Sequence, residues 1–449
     1  MKFVADLHLH SRYSRAVSQQ MNLQNMAQFA RLKGISVLAT GDFTHPFWFD
    51  HIKNQLEETA EGLYRLKQPE NSPQQTVVSN EQSASEIFFL LSCEISSIYS
   101  QGGKGRRIHN LVMFPKLSDV EKFNNELIKR RVNLRSDGRP IVGLSAKDVA
   151  YIALEVSDKA LVIPAHAWTP WFSLYGSFSG FDSVEECFGD MAKYIYGIES
   201  GLSSDPAMNW EVGDLDNRSI LSFSDAHSLE KMGREVTVFE ANNISYDAIY
   251  GAISGSSTSR IAFTIEFYPE EGKYHFTGHR DCNVSLSPAE TREKGEKCSV
   301  CGRSLTVGVM HRVEELKTIN QKQETRDKNG VKWIYPDGES RPPFISLVPL
   351  YEIIAEALEV GVGTQKVNDQ YMSLVNVFGS EFNVLLKAEL EKIVRFGGSK
   401  LSEAIGKVRS REIVVEPGFD GKFGIVKIWS GTTDVSGQKD EESQLNLLV

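Results

Sequence analysis

The chain has 449 residues, of which 41% are hydrophobic and 24% are charged, and its formal net charge is −10. This composition is typical of a globular protein with two or three domains. The acidic balance argues against indiscriminate coating of nucleic acid but is compatible with a local basic groove. No apolar run reaches the length of a membrane span, and the first residues lack the basic-then-apolar pattern of an export signal, so we expect a cytoplasmic protein without a membrane partner.

The first ten residues predict a short buried strand that ends in two histidines. Side chains alternate along a strand, so His8 and His10 point the same way and Asp6 lies behind them on the same face. Two converging imidazoles form half of a metal site, in which Asp6 would orient one ring. A polar strand end at the surface is the alternative, and the following segments decide between the two.

The next segment alternates helix and strand. Asn22 is placed to cap a helix that ends at Gly34, and residues 35–40 form the second predicted strand. The order of strand, helix and strand is typical of a parallel sheet or barrel. Asp42 and His45 follow the second strand directly, at the carboxyl edge where the active sites of α/β folds lie.

Further strand-like runs carry metal-type ligands at one end, namely Glu94, His109, His166, Asp225 and His227. With the first two histidines, this set exceeds the need of one ion and predicts two or three divalent ions, bridged by Glu94. Mixed imidazole and carboxylate ligands favour zinc or manganese over magnesium, which prefers oxygen ligands. Such ions acidify a bound water and neutralise charge on a phosphoryl oxygen, so the pattern predicts phosphoester hydrolysis, with Glu94, Asp225 and His227 as catalytic residues.

Two loops concentrate positive charge in this otherwise acidic chain. One contains Lys104, Arg106 and Arg107, and the other contains Arg130 and Arg131. Basic clusters suggest contact with the phosphate backbone of DNA, but a solvated loop has the same composition. Both interpretations stay open for these five residues.

An aromatic segment follows His166 directly and contains Trp168, Trp171 and Tyr175. Aromatic side chains beside a metal ligand can stack on a nucleic-acid base, which predicts a base pocket. Burial in the hydrophobic core is the alternative for each of them.

The sequence of residues 266–320 predicts a small zinc-binding region, which we call the zinc module. The predicted ligands of one structural zinc ion are His279, Cys282, Cys298 and Cys301. Four such ligands suit a closed tetrahedral site, although His275 and His311 compete with His279 for the fourth position. A redox Cys-x-x-Cys pair is the alternative, and the neighbouring Cys and His without a local βαβ pattern argue against it.

Residues 321–430 predict a mixed region of helices and short strands. Helices are indicated at 350–358, 381–394 and 399–409, and two short strands lie within 413–428. Helices and turns with Lys and Arg would either grip a duplex or pack on the rest of the protein. Residues 431–449 form a polar tail with few large apolar residues before its end.

The series of strand-end ligands resembles that of the PHP (polymerase and histidinol phosphatase) superfamily, over roughly residues 1–265. The resemblance implies a distorted (β/α)₇ barrel with a trinuclear metal site. The matching positions are His8, His10, Asp42, His45, Glu94, His109, His166, Asp225 and His227. The histidine that many members carry shortly after the first pair is absent here, where Ser14 and Arg15 stand, and this departure bears on the third metal position.

The combination of this barrel with the zinc module, the sequence Val-Glu-Glu-Leu at 313–316 and the turn at 417–421 resembles the endonuclease Q family, as far as about Trp429. The resemblance implies a DNA repair nuclease that nicks on the 5′ side of uracil, hypoxanthine, xanthine and abasic sites, with the zinc module and the C-terminal region gripping DNA. A phosphatase for a small phosphomonoester and a non-catalytic DNA-binding scaffold are the competing hypotheses. A small-molecule phosphatase would need neither of the additional regions.

The end of the tail contains Gln444, Leu445, Leu447 and Leu448. This spacing resembles the short peptide by which bacterial repair and replication proteins bind the sliding clamp. Leucines at the end of a polar tail lack a core of their own, so the pattern predicts a partner pocket on the clamp. A tail that folds back on its own domain is the alternative.

Overall fold

The computed structural model describes residues 1–59, 61–68, 86–255 and 258–430, and its N-terminal part alternates strands and helices. The strands are β1 (Lys2–Asp6), β2 (Val37–Ala39), β3 (Leu56–Glu58), β4 (Tyr64–Leu66), β5 (Phe88–Gln101), β6 (Lys104–Phe114), β7 (Ile141–Val142), β8 (Leu161–Pro164), β9 (Gly197–Glu199), β10 (Ser219–Leu221), β11 (Val236–Glu240) and β12 (Arg260–Glu266). The helices are α1 (Leu23–Lys33), α2 (Pro46–Gln55), α3 (Leu117–Lys129), α4 (Ala146–Val156), α5 (Val184–Phe188), α6 (Pro206–Asn209) and α7 (Tyr246–Ser254).

These strands close into a distorted barrel. β1 pairs in parallel with β2, and β2 with β5, whereas β6 is antiparallel to both β5 and β8. β9 and β10 form a parallel pair that completes the ring. Beyond β8, the Ala167 amide donates to the Glu199 carbonyl at 2.9 Å, and beyond β10, the Ser222 amide donates to Thr237 Oγ1 at 3.0 Å. The predicted fold class is therefore confirmed, and the long antiparallel β5–β6 hairpin is its main distortion.

The large sheet continues past residue 265. β11 is antiparallel to β1, and β12 is antiparallel to β11. The later strands are β13 (Thr277–His279), β14 (Val284–Leu286), β15 (Gln323–Lys328), β16 (Val331–Pro336), β17 (Phe344–Ser346), β18 (Val414–Glu416) and β19 (Ile425–Lys427). β17 pairs in parallel with β12, and β16 and β15 follow it outward. Residues 323–346 thus extend the sheet of the barrel.

Local sequence explains α1 as predicted. The Asn22 side chain accepts a hydrogen bond from the Asn25 amide at 3.1 Å, and Gly34 ends the helix in the left-handed region with φ of 91°. Asparagine satisfies an orphan N-terminal amide, and glycine adopts positive φ without a Cβ penalty. The buried face of the helix is Leu23, Met26, Ala27, Ala30 and Lys33.

The C-terminal helices match the prediction at 350–358, but the helix Gln365–Phe378 was not predicted and the boundaries of the last two helices differ. The helices are α8 (Pro288–Lys294), α9 (Val309–Leu316), α10 (Leu350–Leu358), α11 (Gln365–Phe378), α12 (Glu381–Leu386) and α13 (Leu390–Ser410), the last broken at Gly398. The single helix predicted for 381–394 is wrong, because α12 ends at Leu386. The buried Arg409 guanidinium accounts for the break, since it donates to the carbonyls of Val384, Leu385 and Ala388, which a continuous helix would use itself. Within the described ranges, no helix combines the length and apolarity that crossing a bilayer needs.

A buried ion pair fixes the helical region to the barrel. Lys33 Nζ on α1 lies 2.8 Å from Glu381 Oε2 on α12, and both side chains are almost fully buried. Glu381 also accepts hydrogen bonds from the Tyr371 hydroxyl at 2.9 Å and the Leu350 amide at 3.0 Å. Removing one partner of such a pair costs about 3–5 kcal/mol, because the other charge stays buried. The two regions are therefore held in one arrangement.

Candidate metal centres

Seven of the nine predicted ligands converge at one end of the barrel. They form three groups: His8, His10 and Glu94; His10, Asp225 and His227; and Glu94, His109 and His166. Within each group the ligand atoms all lie within 4.8 Å of one another. His10 and Glu94 each belong to two groups, so the three sets form one continuous cluster.

Glu94 lies in the middle of this cluster with its carboxylate fully buried. Oε2 is 3.8 Å from His8 Nε2 and 3.4 Å from His10 Nε2. Oε1 is 2.6 Å from His109 Nδ1 and 3.1 Å from His166 Nε2. One carboxylate oxygen therefore faces each pair of histidines, which is the arrangement that a bridging carboxylate needs.

The buried donors at the centre lack partners of their own. His8 Nε2, His10 Nε2 and Asp225 Oδ1 are buried without a hydrogen bond in the described structure. Asp225 Oδ1 lies 3.4 Å from His8 Nε2 and 3.1 Å from His10 Nε2, so the three atoms face one space. Buried polar atoms without partners are costly unless a ligand satisfies them. The donor set fits divalent cations that accept imidazole nitrogen and carboxylate oxygen.

The electrostatics of the cluster suit metal binding. Burial opposes the ionised forms of Glu94 and Asp225, but the neighbouring histidines outweigh it and lower the pKa of both carboxyls well below their ordinary values. Burial also lowers the pKa of His109 and of His227 to about 4. Ionised carboxylates and neutral imidazoles are the forms that coordinate a metal.

His8 and His10 behave differently because carboxylates surround them. Burial opposes their protonated forms, yet Glu199 and Asp225 raise the pKa of His8, and Asp225 and Asp42 raise the pKa of His10, well above the ordinary value. A cation that binds these rings competes with protons for the same nitrogen atoms.

Two carboxylates orient the first histidine pair from behind. His8 Nδ1 lies 3.0 Å from both oxygens of Glu199, and His10 Nδ1 lies 3.1 Å from Asp42 Oδ1. A hydrogen bond at Nδ1 leaves Nε2 free to face a metal. Asp42 was predicted as a ligand, but Ser11 and Ser14 donate to its other oxygen, and it lies outside the three groups.

The predicted orienting role of Asp6 is wrong. Its carboxylate accepts hydrogen bonds from the Ser224 amide at 3.0 Å, the Ser224 hydroxyl at 2.6 Å and the Gly233 amide at 2.9 Å. Burial raises the pKa of Asp6 to about 6. β1 ends at Asp6, so the strand alternation used for the prediction does not continue to the histidines.

His45 also lies outside the three ligand groups. It precedes α2, and its ring stacks on Tyr13 with a centroid distance of 4.6 Å. Its Nδ1 is buried without a hydrogen bond in the described part of the chain. The structure therefore places His45 beside the cluster, packed against an aromatic ring.

Sequence reasoning missed two residues of the site, Arg139 and Glu199. Arg139 Nη1 lies 3.0 Å from Glu94 Oε2, and its side chain is 15% exposed. In the sequence, Arg139 belongs to the basic loop that also contains Arg130 and Arg131, and that loop is predicted to lie at the surface. The neighbouring Gly138 lies so close to the site that a Cβ there would be 2.4 Å from Asp42 Oδ2. Glu199 ends β9 at the same edge as the other candidate ligands, and this strand-end position could have identified it from the sequence.

The zinc module contains the predicted ligand set. The donor atoms of His279, Cys282, Cys298 and Cys301 all lie within 4.8 Å of one another. Cys301 Sγ is 3.7 Å from His279 Nδ1, and a tetrahedral zinc ion holds sulfur and nitrogen about 3.6 Å apart. Burial is outweighed by backbone hydrogen bonds at residues 300 and 301, which lower the pKa of Cys298 to about 7 and favour the thiolate. This group contains His279 and neither His275 nor His311.

The predicted DNA-contacting residues differ in their exposure to solvent. Lys104, Arg107, Arg130 and Arg131 are exposed. Arg106 is buried, donates to the Gly180 carbonyl, and lies over an aromatic ring, so its guanidinium is used within the protein.

Two of the three predicted base-pocket aromatics lie in the core. Trp168 is 1% exposed and donates to Asn209 Oδ1, and Tyr175 is 0% exposed and donates to Asp214 Oδ2. Neither ring presents a face to a base in this structure. Trp171 instead stacks on Phe178 at a centroid distance of 4.7 Å and an interplanar angle of 3°; we call this pair the aromatic ledge.

The Glu199→Gln substitution is expected to weaken metal binding by about 10- to 100-fold, because it removes the charge that orients His8 without removing a ligand. The measurement is the manganese concentration that restores half-maximal activity to metal-depleted protein. The exposed Glu185→Gln variant on α5 serves as the control. An unchanged manganese requirement in Glu199→Gln would contradict the orienting role.

The chain is similar to several known proteins. Residues 349–412 match the MJ0043 C-terminal domain family. Uncharacterised protein MJ0043 of Methanocaldococcus jannaschii is 30% identical over 283 residues, which are 60% of this chain and 33% of that protein, so the match spans about a third of MJ0043. Uncharacterised protein YqxK of Bacillus subtilis is 28% identical over 441 residues, which are 95% of this chain and 99% of that protein.

Two solved structures match almost the whole chain. The lesion-specific endonuclease PfuEndoQ from Pyrococcus furiosus is 29% identical with a TM-score of 0.79, over 98% of this chain and 99% of that one. Endonuclease Q in complex with a 27-mer duplex substrate that carries an abasic lesion at the active site is 30% identical with a TM-score of 0.79. That match covers 98% of this chain and 100% of the other.

Proposed function

The chain belongs to the endonuclease Q family of metal-dependent endodeoxyribonucleases that act on damaged DNA, and on that premise we propose that it cuts the strand on the 5′ side of deaminated bases and abasic sites. The deaminated bases are uracil, hypoxanthine and xanthine. The observation that carries the proposal is the buried cluster around Glu94, which lies in a fold shared over its whole length with lesion-cutting enzymes.

The cluster would hold two or three divalent ions, which we take to be zinc, manganese or magnesium. His8, His10, Asp225 and His227 would hold one side, and His109 and His166 the other, with Glu94 between them. When bound, such ions supply an acidified water and neutralise the charge that develops on the phosphoryl oxygen. A further zinc ion would be held by His279, Cys282, Cys298 and Cys301.

The protein's own residues prepare this site. Glu199 and Asp42 fix the rings of His8 and His10, so the Nε2 atoms face inward before any ligand arrives. Arg139 presents a guanidinium beside Glu94, where it would bind a phosphate oxygen and hold the scissile group at the cluster. Because the centre is buried, these charges act in a low dielectric and interact more strongly than at the surface.

The test is cleavage of end-labelled duplexes that each contain one uracil, hypoxanthine, xanthine or abasic site. We expect a single nick whose labelled product ends immediately 5′ of the lesion. Release of inorganic phosphate from small phosphomonoesters, without nicking of any duplex, would support the phosphatase hypothesis instead. Tight duplex binding without cleavage in any metal would support the scaffold.

The damaged base, we propose, leaves the stack and rests against the aromatic ledge. Phe172, which follows Trp171, packs on His109 at a centroid distance of 4.8 Å, so this loop adjoins the cluster. Phe178 is 49% exposed and Trp171 packs edge-on against Tyr274, so the ledge is supported on one side and open on the other. A buried catalytic centre reaches a base only after unstacking, and an open ring face offsets part of that cost.

The Phe178→Ala variant is expected to lose about 1–3 kcal/mol of stacking with the base, which raises KM for a uracil duplex by about 5- to 150-fold. The measurement is the rate of nicking as a function of duplex concentration. Tyr151→Ala removes a similarly exposed aromatic ring from α4 and is the control. Equal KM values for the two variants would contradict the proposed role of the aromatic ledge in binding the damaged base.

The peptide Gln444, Leu445, Leu447 and Leu448 lies outside the described residues, and its clamp-binding role is a proposal that rests on sequence alone. Tethering to a sliding clamp would raise the local concentration of the enzyme on DNA without a change in its active site. Deletion of residues 443–449 is expected to abolish clamp pull-down while leaving the nicking of a short oligonucleotide unchanged. Equal clamp binding by the truncated and full-length proteins would refute the tether.

A further inference from the structure

A third group of potential ligands lies beside the zinc module, outside both centres described above. It consists of Glu296, His311 and Glu315, whose ligand atoms all lie within 4.8 Å of one another. Glu296 lies two residues before Cys298, and His311 and Glu315 lie one turn apart on α9. None of the three belongs to the group of His279, Cys282, Cys298 and Cys301, so they are not ligands of the structural zinc ion.

The histidine of this group is buried without a partner. His311 is 7% exposed, and in the part of the chain that the structure describes, Nδ1 is buried without a hydrogen bond. Nε2 lies 3.8 Å from Glu315 Oε1, which is too long for a hydrogen bond. In the described residues neither ring nitrogen of His311 has a hydrogen-bond partner, so the buried imidazole is available to a cation.

The two carboxylates are placed differently. Arg312 Nη1 binds Glu315 Oε2 at 3.0 Å, which leaves Oε1 directed toward His311. Within the described ranges the Glu296 side chain has no hydrogen-bond or ion-pair partner, although it lies beside these two groups. A cation would use all three donors, whereas an ion pair between His311 and Glu315 would use two of them.

We propose that Glu296, His311 and Glu315 bind a second divalent cation of the zinc class at the zinc module. One imidazole and two carboxylates are ligands that zinc accepts, with water in the remaining position. The site is distinct from the structural zinc because it shares no donor with it.

The position of the site indicates what the cation would do. Arg312 on α9 donates to the carbonyls of Tyr175 and Phe181, which belong to the aromatic loop of the barrel. Glu296 belongs to the module, and its carbonyl accepts a hydrogen bond from the Leu305 amide at 2.9 Å. A cation held between Glu296 and α9 would therefore tie the segment before Cys298 to the helix of the module that is anchored on the barrel.

The test compares the zinc content of intact variants after dialysis with a small excess of free zinc. Glu296→Gln is expected to hold about one zinc equivalent fewer than wild type, and zinc is expected to raise its melting temperature less. Glu293→Gln, an equally exposed carboxylate three residues away, is the control and should match wild type. His311→Gln should lose the same equivalent, and His275→Gln, another buried histidine of the module, should not.

The Glu296→Gln variant decides the outcome. Glu296 is exposed, so its substitution leaves the fold intact even if substitution of the buried His311 does not. Equal zinc content and equal zinc-induced stabilisation in Glu296→Gln and Glu293→Gln would overturn the proposal. That result would leave His311 and Glu315 as an ion pair and nothing more.

Discussion

The Asp225→Asn variant is expected to nick lesion-containing DNA on the order of 10³-fold more slowly than wild type, because a preorganised charge-stabilising group is lost from a buried centre. Its Oδ1 faces both His8 Nε2 and His10 Nε2 without a hydrogen bond of its own, so the charge is available to a cation. Asparagine keeps the shape and removes the charge. The rate of nicking at saturating duplex is the measurement.

DNA affinity provides the internal control for this variant. Asp225 is not among the residues that we propose to contact phosphate, so the Kd for a lesion duplex should stay within about twofold of wild type. Asp158→Asn, an exposed carboxylate beyond the end of α4, should behave as wild type in both measurements. Undiminished nicking by Asp225→Asn would show that the ligand assignment fails.

The Cys298→Ser variant is expected to lose the structural zinc ion and the fold of the module around it. Zinc binding supplies about 10–16 kcal/mol of apparent folding free energy in small zinc peptides, and this module has only a small buried apolar cluster of its own. We expect at least one zinc equivalent less per chain, a lower melting temperature and weaker DNA binding. Metal analysis and thermal unfolding measure the first two directly.

Cys187→Ser is the matched control, since Cys187 is a buried cysteine of the barrel. It should retain the full zinc content. Nicking by Cys298→Ser at saturating DNA should approach the wild-type rate, because the cluster around Glu94 does not include the module. Unchanged zinc content in Cys298→Ser would contradict the assignment of the module.

The convergence of the candidate ligands could be predicted in part, because strand ends at the carboxyl edge of an α/β barrel lie close together. His8 and His10 directly follow the end of β1, as predicted, whereas Glu94 lies inside β5 and His109 inside β6, so the strand-end positions predicted for these two residues are wrong. The distinction between a ligand and the residue behind it could not be predicted in the same way. Asp42 stands at the same edge, and only the hydrogen bonds from Ser11 and Ser14 turn its carboxylate toward His10 Nδ1.

Long-range contacts account for the other differences. Arg139 reads as part of a surface loop, and its ion pair with Glu94 joins residues 45 positions apart. Trp168 and Tyr175 satisfy the pattern of a stacking surface, but hydrogen bonds to Asn209 and Asp214 hold them in the core. The break between α12 and α13 depends on a guanidinium that arrives from more than twenty residues later in the chain.

The zinc module shows where spacing is sufficient and where it is not. Three cysteines within twenty residues, with histidines nearby, predict a metal site from spacing alone. The choice of the fourth ligand among His275, His279 and His311 is a question of geometry, because all three are near in sequence. The sulfur of Cys301 lies next to His279, and this contact selects that histidine.

We propose that the buried cluster around Glu94 is a metal-dependent centre that cuts damaged DNA. The most direct test of this proposal uses wild-type protein stripped of metal with a chelator, then supplied with manganese, and two end-labelled duplexes that differ only by uracil in place of thymine. We predict no nicking without metal, and after metal is restored a nick 5′ of uracil with the thymine duplex intact. Equal cleavage of both duplexes, or cleavage of neither across zinc, manganese and magnesium, would contradict the account.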